Sequence, residues 1–99
     1  MRKQEIVVEQ HHIDAGWPMS SCECPVALAV RDATGFEPSI DLERVVFYDD
    51  DHYELLTVTS AEYQGGGDVR RFITRFDRGA SVEPFSFWLP VPVATGETK

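Results

Sequence analysis

With 99 residues, 42% of them hydrophobic, and a formal net charge of -8, the chain has the size and composition of one globular domain, not of a disordered segment. Seventeen acidic residues against nine basic ones argue against direct binding to a nucleic-acid backbone. They leave two readings of the acidity: solubility alone, or a protein partner with a basic surface. No run approaches the ~20 apolar residues of a membrane span, and the start does not read as a secretory leader, so no membrane association is expected. A cytoplasmic protein with two reduced thiols follows from the same reading.

Residues 4–9 (Gln-Glu-Ile-Val-Val-Glu) are short and β-branched and read as a strand. Gln10-His11-His12-Ile13-Asp14-Ala15 fits one helical turn closed by Gly16. Residues 17–23 are rich in turn formers and read as a loop, with Trp17 expected to fold back over the core. The longest apolar run follows, Cys24-Pro25-Val26-Ala27-Leu28-Ala29-Val30-Arg31-Asp32-Ala33. Pro25 suits a first helical position, where its missing N–H is not needed, and Thr34-Gly35 offers the stop. Because this helix is apolar on nearly all sides, it is expected at the centre of the core.

Phe36-Glu37-Pro38-Ser39 reads as a turn. Residues 40–48 carry a strand signal in their second half, Asp49-Asp50-Asp51-His52 makes an acidic turn, and residues 53–59 supply the partner strand of a hairpin. A loop through Gly65-Gly66-Gly67 leads to a second helix capped by Asp68. Its Val69, Phe72, Ile73 and Phe76 fall at i, i+3, i+4 and i+7, so Phe72 and Phe76 should face the core while Arg71 and Arg75 stay exposed. Gly79 ends it. Residues 82–89 alternate towards a last strand, in which Phe85 and Phe87 share a face and Trp88 points the other way. Pro84 near its start suggests an edge or an entry bulge, and Pro90 begins a frayed tail.

This order predicts an α+β fold: a small, mainly antiparallel sheet of about four strands with two helices packed on one face. A single domain spans residues 1–90, followed by a flexible tail over 91–99.

Two stretches, His12-Ile13-x-x-Gly16 followed by Cys24-Pro25-Val26-Ala27-Leu28-Ala29, and Phe72-Ile73-x-x-Phe76-Asp77-x-Gly79-x-x-Val82-x-Pro84-Phe85-x-Phe87, resemble a group of small uncharacterised proteins of bacteriophages and prophages. The resemblance implies an intracellular, phage-related protein and no particular activity. Residues 36–67 carry no part of it.

The classical metal ligands are His11, His12, Cys22 and Cys24, with His52 as a further candidate. Zinc needs about four such ligands, and paired cysteines usually have two to four residues between them; Cys22 and Cys24 have one. A small zinc-stabilised module using His12, Cys22 and Cys24 is the alternative to a buried Cys24 beneath the helix start and histidines on the surface. Cys24 at a helix N-terminus would favour thiolate, and with His12 would form a nucleophile and base, but Glu23 opposes the thiolate and no oxyanion hole is identifiable. No catalytic residue and no cofactor is therefore assigned. Asp49-Asp50-Asp51 lacks the spaced ligands and glycine of a calcium loop. Gly65-Gly66-Gly67-Asp68 lacks the Gly-Lys-Ser/Thr ending of a phosphate loop, and Asp68 would repel phosphate.

The leading expectation is a non-enzymatic interaction protein that binds a basic protein partner through an acidic surface or an exposed sheet edge. A sharper form is an inhibitor that mimics nucleic acid. Glu37, Asp41, Glu43, Asp49, Asp50, Asp51 and Glu54 cluster in the middle third of the chain, and Asp49, Asp50, Asp51 and Glu54 are the expected contact residues.

Overall fold

The computed structural model describes residues 2–92. The elements, in chain order, are β1 (Arg2–Val8), α1 (Gln10–Ala15), α2 (Pro25–Thr34), β2 (Glu37–Ile40), β3 (Arg44–Tyr48), β4 (Glu54–Thr59), α3 (Gly66–Asp77) and β5 (Phe85–Val91). The α+β class and the antiparallel pairing are as expected. The strands do not form one sheet, however: β1 pairs with β5, and β2, β3 and β4 form a separate sheet in that order. Helix α2 packs against β1, β2 and α1. A helix in contact with both sheets needs apolar residues on more than one side, which accounts for its nearly continuous apolar run.

The boundaries of α2 follow the local chemistry. Cys24 is the N-cap, its sulfur accepting the Ala27 N–H at 3.4 Å, and Pro25 takes the first turn. Gly35 closes the helix in the left-handed conformation at φ 79°. Val26, Ala27, Ala29 and Val30 are buried, whereas Leu28 is only half-buried, so the helix is not enclosed all round. The turn of α1 needs glycine at its end for another reason: a Cβ on Gly16 would lie 2.5 Å from Pro25 Cδ.

The two sheets turn alternate residues inward. Ile6 and Val8 of β1 join Phe87, Leu89 and Val91 of β5, and Pro38, Ile40, Val45, Phe47 and Val58 line the inner side of the second sheet. Phe72 lies on Phe85, ring centroids 4.9 Å apart, and fixes α3 to β5. Phe72 is buried, Phe76 half-buried, and Arg71 and Arg75 exposed, in the register the apolar spacing requires.

Four local expectations are corrected. Residues 36–39 are not a turn: Pro38 lies within β2, paired with Phe47. Pro90 does not begin a tail: it lies buried within β5, opposite Lys3, and Val91 is buried beside it. Both prolines sit where the strand has no donor to lose. Ile40 N–H donates to Ser21 O, away from β3, and Trp88 N–H donates to Gln64 O, away from β1. Pro38 and Pro90 each stand two residues from these, so their nitrogens face the same outer edges. Asp68 is not the cap of the late helix, which starts at Gly66 with Gly65 as N-cap. Trp17 does not cover the core; it is 68% exposed. The expected tail lies, from residue 93 onward, outside the described residues.

Candidate functional site

His12 is the one fully buried polar or charged side chain among the buried residues described, at 4% exposure. Helix α1 holds it against α2. The Glu9 N–H donates to His12 Nδ1 at 2.9 Å, and His12 Nε2 lies 2.8 Å from Asp32 Oδ2. The His11 ring stands beside it, centroids 4.0 Å apart, with its Nε2 3.9 Å from the same carboxylate oxygen. Because Nδ1 accepts, the geometry fits a neutral ring with its proton on Nε2, donated to Asp32.

That assignment decides what the cluster can do. His11, His12 and Asp32 bring their ligand atoms within 4.8 Å of one another. For His12 to ligate, Nε2 would have to present a lone pair and Nδ1 would have to carry the proton, facing the Glu9 N–H donor to donor. The same double occupation removes His12 as a general base. The arrangement is a joint between α1 and α2, with Asp32 as its far anchor.

The cysteines are elsewhere. Both are free; Cys22 is exposed and Cys24 buried. Among the described residues neither joins His12 in a convergent set of three ligands, so the expected trio of His12, Cys22 and Cys24 is not brought together. Burial pushes the Cys24 thiol above its ordinary range, outweighing the backbone hydrogen bonds at the helix start that pull the other way. A thiol so placed is a capping group and not an activated nucleophile. His52, the other histidine, is at the β3–β4 turn in the left-handed region at φ 66°.

Gly65 and Gly66, at the start of α3, serve packing. A Cβ on Gly65 would lie 2.7 Å from Phe87 Cβ, and one on Gly66 would overlap the Ser60 carbonyl. The arginines of α3 are committed: Arg70 to Glu43 and the Leu42 carbonyl, Arg71 to Asp68 at 2.7 Å, Arg75 to the Ser81 carbonyl. An open groove of about 570 Å³ runs between α3 and the segment entering β5, with Phe72, Phe85 and the already paired Arg71 and Arg75 in its lining.

The acidic middle third separates into two groups. Glu37 pairs with Arg31, whose Nε lies 3.0 Å away without hydrogen-bond alignment, while Arg31 also holds Glu23 and the Cys22 carbonyl. Asp41 accepts the Glu43 and Arg44 N–H groups, Glu43 pairs with Arg70, and Glu54 accepts the Thr57 hydroxyl. Asp49 builds the hairpin tip: its Oδ1 accepts the N–H of Asp51 and of Tyr53, both at 2.9 Å. Asp50 and Asp51 remain exposed, without an ion pair or side-chain hydrogen bond among the described residues, beside a Tyr53 that is 71% exposed. The run of aspartates marks this tip in the sequence, whereas the exposure of Tyr53 is not legible there, because an aromatic at a strand start reads equally well as core.

Comparison with protein-family models, with curated proteins and with solved structures returned no match. Among the described residues no helix is long and apolar enough to cross a membrane.

Proposed function

We propose that the chain is a small, non-enzymatic interaction protein of phage or prophage origin, acting in the cytoplasm, whose β3–β4 hairpin tip docks a basic surface on a protein partner. The observation that carries this reading is the tip itself: two uncommitted aspartates and an exposed tyrosine on a turn that Asp49 locks from within. Three further backbone-level constraints hold it, the Asp49 N–H to the Tyr53 carbonyl, the His52 N–H to the Asp49 carbonyl, and the left-handed His52.

A turn fixed before binding spends little ordering entropy when it docks. Tyrosine is among the residues that most often anchor interfaces, and carboxylates around it steer a cationic partner and fix its register. The nucleic-acid mimic draws less support, since a long row of phosphate-like charges is wanted and Glu37, Asp41 and Glu43 are paired or capped within the fold.

An NMR titration with a lysine- and arginine-rich peptide tests the proposal. Amide shifts should concentrate in residues 49–54 and fade as salt screens the contact. Shifts spread evenly over all exposed acidic residues would contradict it.

A further inference from the structure

The open side of β1 is a separate surface, and one hydrogen bond fixes its parity. Trp88 N–H donates to Gln64 O at 3.2 Å, away from β1, and Trp88 stands opposite Glu5. In an antiparallel ladder both members of such a pair direct N–H and C=O away from each other. Alternation then sends the backbone groups of Lys3, Glu5 and Val7 to the free side of β1, and those of Gln4 and Ile6 towards β5. No strand lies on that free side, and among the described residues no backbone or side-chain group meets these amides and carbonyls. All three residues are exposed, and neither Lys3 nor Glu5 has an ionic partner among the described residues.

We propose that this edge pairs antiparallel with the same edge of a second copy, about a two-fold axis at Gln4. The pairing joins two β1–β5 ribbons into one sheet. Charged edge residues usually prevent such contacts. Here they are opposite in sign and two positions apart, which makes one register self-complementary. An axis at Gln4 sets Lys3 of each copy against Glu5 of the other, with side chains on one face at cross-strand contact distance and both backbone bonds exchanged in each pair. An axis at Glu5 opposes two carboxylates, and an axis at Ile6 leaves Glu5 facing Val7. The net charge of -8 on each copy works against association, so the dimer is weak and concentration dependent.

Sedimentation velocity from micromolar to near-millimolar protein, at physiological ionic strength, reads the association directly. Lys3→Glu and Glu5→Lys should each raise the dissociation constant about tenfold, and the double variant K3E/E5K should restore it. Net charge alone would split the single variants, weakening association for Lys3→Glu and strengthening it for Glu5→Lys. In hydrogen exchange, the parent chain's Lys3 and Glu5 amides should gain protection as concentration rises, and each variant, diluted to the monomer, should melt at the temperature of the equally diluted parent chain. A wild-type chain that stays monomeric throughout, tighter association in Glu5→Lys, or a double variant no stronger than either single one would overturn the proposal.

Discussion

His12 Nε2 lies 2.8 Å from Asp32 Oδ2 while its Nδ1 accepts the Glu9 N–H, so one buried ring ties the start of α1 to the exposed face of α2. Truncating it removes the buried ring from the α1–α2 contact and takes the acceptor from a part-buried Glu9 N–H. His12→Ala should lower stability by about 1–3 kcal/mol. Asp32→Asn should cost less than about 1 kcal/mol, because the carboxylate is 65% exposed. Denaturant unfolding of the two variants compares them, and long-range nitrogen NMR should find the ring proton on Nε2. A ring protonated on Nδ1 would refute the assignment and reopen His12 as a ligand.

The core helix and the second sheet give a contrast in packing. Phe47 is fully buried, so Phe47→Ala should cost about 3–5 kcal/mol. Leu28 is half-buried, and Leu28→Ala should cost about 1–2 kcal/mol, below the range for enclosed leucines. Thermal melts of both variants check the order; equal losses would mean that α2 is enclosed on all sides.

Two neighbouring glycines of α3 should respond with opposite signs. A Cβ on Gly67 meets nothing within 4 Å, so Gly67→Ala should stabilise by about 0.5–1 kcal/mol through its helix propensity. At Gly66 the Ser60 carbonyl occupies the space, and Gly66→Ala should destabilise by about 1–3 kcal/mol despite the same propensity gain. Chemical denaturation of the pair reads the difference.

Alkaline pH should weaken the fold through one buried and one half-buried group, Cys24 and Tyr63. Burial pushes the Tyr63 hydroxyl from 10.0 up to about 12 and raises the Cys24 thiol above its ordinary 9.0. Below those ordinary values both groups are neutral in either state and stability is complete. As pH rises through them, the unfolded chain ionises first, so stability falls until the folded groups ionise too. Unfolding midpoints at about pH 8 and about pH 11 should differ less in Tyr63→Phe and in Cys24→Ala than in the parent chain. Thiol titration of the folded protein should label Cys22 quickly and Cys24 slowly.

Much of this fold was legible wherever local chemistry decided it. Pro25 and Gly35 bracket α2, the spacing of Val69, Phe72, Ile73 and Phe76 orients α3, and Asp49-Asp50-Asp51 marks the tip. What stayed hidden depends on where the chain returns in space. Pro38 and Pro90 read as breaks because only the finished sheets show that their nitrogens face an edge. The partition into two sheets depends on α2 contacting both. Asp32 carries no signal of its own within the α2 run, since nothing local links it to a histidine twenty residues earlier.

The hairpin tip is most directly tested by capture from a bacterial lysate, comparing immobilised parent chain with D50N/D51N/Y53A, a variant that leaves the Asp49 turn intact. Proteins with basic surfaces should be retained by the parent at low salt, released at raised salt, and lost by the variant. The same proteins held equally well by the variant would contradict it.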